Sequence, residues 1–445
     1  MIWLRGGKLV RADGVQAADI LIEGEKIIQV GEIDEPEATI IDVSGKLIFP
    51  GFIDPHTHLE MPGGSDDFHS ATKGAIMGGT TIVIDYATQG KGGLIQAYHD
   101  WEYLAKDACC DYLFHMSPIR RDKQLAEEMF WLQERGIVSY KLYLAYDHLR
   151  MSELDFIKTL GALEVMGALI GVHCEDGDMI KELQQVALDK GDIEPIYHAL
   201  TRPPESESRA IDYLMDRAIG DINIVHLSSQ AGLERVRYHK TMGKDIVAET
   251  CPQYLLLDQS LLDQAREEAV KYIFSPPLRT KEDQSALWEG ITDGTITTIA
   301  TDHCNFSQAT KLKDYTDFAH VPNGMPGVET RVHLMLSEFE KRGLGYPKAV
   351  ELMSTGVAKQ YGLYPKKGEL AVGSDADIVI YDPKIEWTMQ QELLHTPGDY
   401  TPYEGRKISG KITQVYLRGQ LVADDDRWLG SQGRYQEARR NYDHY

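Results

Sequence analysis

A chain of 445 residues, 42% hydrophobic and 9% aromatic, can bury a large core, which excludes global disorder and favours one barrel-sized unit with accessory structure. With 46 Lys and Arg against 69 Asp and Glu, the net charge of −23 disfavours nucleic acid or an anionic membrane as a partner and serves solubility. No apolar run reaches the roughly 20 residues of a spanning helix, and Met1-Ile2-Trp3-Leu4-Arg5 lacks the layout of a signal peptide, so a cytoplasmic protein is expected.

Residues 1–50 read as short strands over 2–5, 19–22, 26–30 and 39–43, broken by glycines and charged turns. From 51 to 363, short apolar strands alternate with helical stretches. The strands fall at 52–54, 80–85, 112–116, 139–143, 169–173, 223–226, 246–250 and 297–301. Helical spacing appears over 94–106, 124–133, 153–166, 205–219 and 232–239. Eight strands with helical crossovers predict an α/β fold of the (β/α)8 TIM-barrel type, whose active site lies where the strands end. Strand texture returns at 377–382 and 412–423, so the two chain ends are expected to join in one small β domain. The expected division is 1–50 with 364–445 as that discontinuous domain, around a barrel of 51–363.

The chemistry gathers at the strand ends. His56 and His58 flank one residue after the first strand, and in extended backbone residues i and i+2 point to the same side. Alone, such a pair is more often polar surface or core than a metal site. His173 and His226 close two further strands, however, and Asp302 follows the last; imidazole and carboxylate together suit zinc and related divalent ions. Lys141 lies within a strand, where a lysine is costly to bury. It either reaches the rim, pairs with a carboxylate, or has reacted with carbon dioxide to form a carbamate able to bridge two metals.

Other residues carry less weight. Cys109, Cys110, Cys174, Cys251 and Cys304 form no C-x-x-C pair and read as reduced thiols, those after His173 and His303 as packing residues. His303 is equally a group orienting the site or an ordinary rim histidine; His69, His115, His148 and His198 are not expected to be ligands. Asp66-Asp67 reads as a solvated loop, and Gly78-Gly79 as a helix-to-strand turn with no phosphate-loop lysine after it.

Several longer motifs occur in order: Gly51-Phe52-Ile53-Asp54-Pro55-His56-Thr57-His58-Leu59-Glu60-Met61-Pro62, Lys141-Leu142-Tyr143-Leu144-Ala145-Tyr146, Glu249-Thr250-Cys251-Pro252-Gln253-Tyr254-Leu255, Ser275-Pro276-Pro277-Leu278-Arg279 and Pro322-Asn323-Gly324-Met325-Pro326-Gly327-Val328-Glu329. With Gly373-Ser374-Asp375-Ala376-Asp377, they resemble the dihydropyrimidinase and D-hydantoinase branch of the amidohydrolase superfamily, phenylhydantoinases included, over almost the whole chain. The resemblance implies that the terminal β domain is a β-sandwich. It further implies two divalent metal ions, zinc first, with manganese, cobalt or iron as alternatives. His56, His58 and Asp302 would hold one, His173 and His226 the other, and a carboxylated Lys141 would bridge both.

The implied activity is hydrolysis of a cyclic amide, a 5,6-dihydropyrimidine or 5-substituted hydantoin, to an N-carbamoyl amino acid by a hydroxide shared between the metals. By the same resemblance Asp302 is general base and then acid, Tyr146 hydrogen-bonds the oxyanion, and the backbone at Ser275 and Asn323 holds the ureide edge of the small-molecule substrate. Loops at 61–68, 87–93 and 145–151 would shape the pocket for the ring substituent. A homotetramer is implied, with the segment around 430–435 packing between subunits. Dihydroorotase is disfavoured because Leu59-Glu60-Met61-Pro62 offers no cation for a substrate carboxylate. Allantoinase, and non-catalytic relatives that serve as interaction proteins, are the alternatives; retention of all six ligand positions favours an enzyme.

Overall fold

The computed structural model describes residues 1–440, so the last five residues of the expected 364–445 segment lie outside the described residues. Eight parallel strands form one sheet in sequential order: Phe52–Thr57, Thr80–Thr88, Asp111–Ser117, Ser139–Tyr143, Leu169–His173, Ile222–Ile224, Ile246–Thr250 and Thr298–Ile299. The first, third, fourth and fifth are buried along their whole length, the pattern of strands covered on both faces. Helices between them start on side-chain caps. Asp67 and Ser70 form a reciprocal capping box for Phe68–Met77, and Thr280 and Asp283 another for Lys281–Thr292.

The eighth strand meets the first through a single bridge between Thr57 and His303, with the His58 N–H donating to the His303 carbonyl at 2.7 Å. Buried side chains reinforce this seam. Thr301 Oγ1 donates to the Asp54 carboxylate at 2.7 Å, and Arg331 Nη1 donates to Ile53 O at 2.9 Å and Ile299 O at 2.8 Å, one carbonyl on each side.

Two strands end sooner than the sequence predicts. The sixth, expected over 223–226, stops at Ile224, and the eighth, expected over 297–301, covers only Thr298–Ile299. In both cases the chain leaves extended geometry at a polar residue: His226 has φ +42° and Asp302 has φ +54°.

The chain ends build two further sheets. Lys26–Gly31, Asp19–Glu23, Ile2–Arg5 and Thr39–Asp42 form a four-stranded sheet. A seven-stranded sheet joins both ends where Leu47–Pro50 runs antiparallel to Ile378–Thr388, with Pro50 opposite Ile378. Leu4, Ile20, Ile48, Ile378, Ile380 and Tyr416 share one core between the sheets. The stretch of strand texture over 412–423 is a hairpin, Lys407–Leu417 and Gln420–Asp424. Arg418 and Gly419, at φ +47° and +77°, make its two-residue turn. Lys367 fastens this unit to the barrel: its buried ammonium contacts Asp111 at 2.6 Å, Asp375 at 3.0 Å and Asp377 at 2.7 Å. The tail segment implied to lie between subunits runs along the chain's own barrel, with Gly433 N–H on Ala108 O at 2.7 Å and Tyr435 beside Tyr112.

Arg331→Met strips the seam of its guanidinium and leaves buried Asp54, whose carboxylate is 3.9 Å from Arg331 Nε, without that cation. Denaturant unfolding should show a loss of about 3–5 kcal/mol, the usual penalty for orphaning a buried charge; a loss below about 1 kcal/mol would show that the seam does not depend on it.

Candidate metal centre

His56 and His58 emerge on the same side of the first strand, as their spacing requires, with ring centroids 5.3 Å apart. Their Nε2 atoms lie 3.1 and 3.4 Å from one oxygen, Asp302 Oδ1, and the three donor groups fit within 4.8 Å of one another. Across the rim, His173 Nδ1 and His226 Nε2 stand 2.9 Å apart. The His56 and His226 rings, 5.5 Å between centroids, bring the two groups into contact. Lys141, 1% exposed, rises from the fourth strand with Nζ 4.9 Å from the Tyr86 ring centroid.

The electrostatics follow from burial. Desolvation opposes the charge on Asp302, yet the close imidazoles of His56 and His58 outweigh it and hold the carboxyl well below its usual range. Burial, reinforced by the Lys141 charge, pushes His226 well down; burial also lowers His58 and His173, partly offset by Asp302 and Glu175 respectively. For His56, burial is outweighed by Glu249 and Asp302, and its pKa rises. Burial brings the Lys141 amine down to about 8 against the pull of Asp302 and Glu249. His56 Nε2 is buried without a hydrogen-bond partner although a carboxylate oxygen is 3.1 Å away. A shared divalent cation satisfies both atoms, so the donor set fits such an ion.

Two carboxylates absent from the sequence expectations orient the imidazoles. Glu249 Oε1 lies 2.6 Å from His56 Nδ1 and accepts the His226 amide at 3.2 Å, which turns His56 Nε2 toward Asp302. Glu175 Oε2 lies 2.9 Å from His173 Nε2 and 2.7 Å from Arg202 Nη1, which turns His173 Nδ1 toward His226. Burial opposes the Glu175 charge, but Arg202 and His173 bring its pKa to about 2. Their sequence signals were positional: Glu249 stands next to last in the seventh strand, and Glu175 follows His173 by two residues.

Tyr146 sits beyond the fourth strand with its ring centroid 5.1 Å from that of His173 and the Arg202 guanidinium carbon 5.5 Å from its ring. Burial pushes its phenol up to about 12, so it stays protonated and able to donate near neutral pH. Tyr146 has φ +68°, and with His226 and Asp302 it makes three non-glycine residues in left-handed backbone around one centre. Such conformations cost roughly 1–3 kcal/mol each and persist where the surroundings overdetermine them. Ser275 Oγ donates to Asn323 Oδ1 at 3.1 Å, so these two residues also come together.

Other expectations change. Asp66 is buried, not solvated, and lies 2.7 Å from His303 Nε2; Asp67 caps a helix. His303 Nδ1 accepts the amides of Gly327 and Val328 at 3.0 and 3.2 Å and its carbonyl accepts the His58 amide at 2.7 Å, so of its two readings the rim histidine gives way to a buried group that clamps the seam beside the ligands. His69 and His148 are exposed, whereas buried His115 and His198 bond the Pro55 and Phe274 carbonyls.

The sequence pattern of the amidohydrolase family matches residues 47–422, and the chain belongs to that family. A D-hydantoinase of Geobacillus stearothermophilus is 40% identical over 451 residues, covering 98% of this chain and 96% of its own. The solved D-hydantoinase from a Bacillus sp. AR9 superposes with a TM-score of 0.96 at 38% identity over 99% of both chains. The dihydropyrimidinase of Brevibacillus agri does so at 0.96 and 37% identity, covering 99% of this chain and 100% of its own. The barrel with separate terminal sheets matches these structures, and family membership implies a binuclear metal centre. No helix among the described residues is long and apolar enough to cross a membrane.

Replacing His303 by Ala removes the acceptor of two buried amides and the partner of Asp66. Chemical unfolding should show a loss of about 2–4 kcal/mol; a change under about 0.5 kcal/mol would mean that the clamp carries no strain-bearing role.

Proposed function

We propose that this chain hydrolyses a cyclic amide, a 5,6-dihydropyrimidine or 5-substituted hydantoin, to the N-carbamoyl amino acid. The carrying observation is the convergence of His56, His58 and Asp302 with His173 and His226 around buried Lys141. In this reading His56, His58 and Asp302 would hold one divalent ion and His173 with His226 the other, and Lys141, carboxylated by carbon dioxide, would serve as an anionic ligand to both. A pair of such ions supplies an acidified water near neutral pH and polarises the scissile carbonyl. Zinc is the first choice for histidine and carboxylate donors, with manganese, cobalt or iron admissible by the same ligand chemistry.

Asp302 takes the proton from the attacking water and delivers it to the ring nitrogen as the C–N bond breaks. Its pKa, held low, keeps it an acceptor at the start of the cycle. Tyr146 donates its hydroxyl to the oxygen on which charge develops. The backbone at Ser275 and Asn323 grips the ureide edge, supported by the link between their side chains. We also propose the division into a terminal β-sandwich and a barrel at about 50/51 and 363/364, a homotetrameric assembly and a cytoplasmic location. The first of these is supported by the pairing of Leu47–Pro50 with Ile378–Thr388.

Purified protein assayed on dihydrouracil, hydantoin, 5-phenylhydantoin, allantoin and dihydroorotate should turn over the dihydropyrimidine or hydantoin members; activity confined to allantoin or dihydroorotate would contradict the reading. Tyr146→Phe should lower kcat about 10²- to 10³-fold, the loss typical of an oxyanion donor, with metal content unchanged. Lys141→Ala should lose bound metal and nearly all turnover. Two ions per chain and full activity in that variant would remove the bridge.

A further inference from the structure

Lys311 sits in the short helix Gln308–Leu312 and is 1% exposed. Its electrostatic neighbours are the Cys304 thiol and the His198 imidazole, and burial brings the amine down to about 7. A methionine or leucine would fill the same space without that desolvation. What the lysine adds is an N–H: Nζ donates to the Ile273 carbonyl at 2.8 Å, and either protonation state of the amine can do so.

That carbonyl has a second donor, the Gly324 amide at 3.1 Å. The residues around it are pinned in the same fashion, with His198 Nε2 on Phe274 O at 2.8 Å and the Tyr254 hydroxyl on Pro276 O at 2.8 Å. Ser275 and Asn323 are thus carried by two backbone segments that meet at one doubly bonded carbonyl. The helix bearing Lys311 is itself fastened, by Ser307 Oγ on the Thr310 amide at 3.0 Å and Asp399 Oδ1 on the Gln308 amide at 2.9 Å. Its lysine is therefore held from outside the segments it braces.

We propose that Lys311 is a positioning residue for substrate binding, whose bond to the Ile273 carbonyl sets the spacing between the backbone at Ser275 and the backbone at Asn323 and Gly324, and so the fit of the ureide edge. The inference rests on the cyclic-amide reading of this site. Lys311 acts on KM through the two segments and not through the metal-ligating groups or Tyr146.

The test is Lys311→Met, close in length and volume but without the N–H. For the best substrate of the wild-type protein, KM should rise about tenfold while kcat stays within about twofold and metal content is unchanged. Hydrogen exchange should quicken in peptides covering residues 273–276 and 322–325 and not in the rest of the barrel. A purely structural role would instead lower the yield of active protein at unchanged KM, and that result overturns the proposal. Should Lys311→Met fail to fold, Lys311→Gln, which keeps a donor one bond short, should raise KM by less, and an unchanged KM there overturns it equally. If the wild-type protein turns over no cyclic ureide, the functional reading fails on that result alone. The exchange measurement then still decides the brace: quickening confined to the two segments supports it, and unchanged exchange overturns it.

Discussion

The arrangement depends on one buried amine. Lys141 is enclosed in the middle of the fourth barrel strand, and its charge adds to the lowering of His58, His173 and His226 and works against the rise at His56. Neutral imidazoles are what a metal requires, but an ammonium among them would repel the ion they are poised to take. Conversion to a carbamate, as proposed above, would remove the conflict by reversing the sign of the charge. With its pKa near 8, a substantial share of the amine is already neutral, and so nucleophilic, close to physiological pH.

The second constraint is closure of the barrel. His58 and Asp302 belong to opposite sides of the seam, so their separation is set by how the first and eighth strands meet. Thr301 on Asp54, Arg331 on two carbonyls and the His303–Asp66 pair fix that join with side chains in place of a strand ladder. Closing the seam this way frees Asp302 to leave extended geometry and aim its carboxylate at both histidines. Left-handed backbone at Tyr146, His226 and Asp302 extends the pattern: the strands stop where side chains must converge.

Much of this was legible in the sequence because strand period and strand ends are local properties. All eight barrel strands fall on predicted segments, and the i, i+2 spacing of His56 and His58 anticipates their common direction. What escaped was non-local or conformational. Glu249 and Glu175 look like ordinary strand-end carboxylates until the fold sets them beside His56 and His173. Asp66 reads as solvated because its partner is 237 residues away. The turn at Arg418 and Gly419 lies between the apolar runs 415–417 and 421–423, a break too short to separate two strands until the fold shows them paired, and short strands such as Lys8–Arg11 and Gly14–Ala17 carry too little pattern to register.

Whether Lys141 carries a carbamate between two metals can be read by ¹³C NMR of protein reconstituted with divalent metal and ¹³C-labelled bicarbonate, together with metal analysis. One slowly exchanging carbamate carbon per chain is expected alongside two bound ions, with the signal absent when Lys141 is replaced. Two tightly bound ions and full turnover with no carbamate carbon would contradict it.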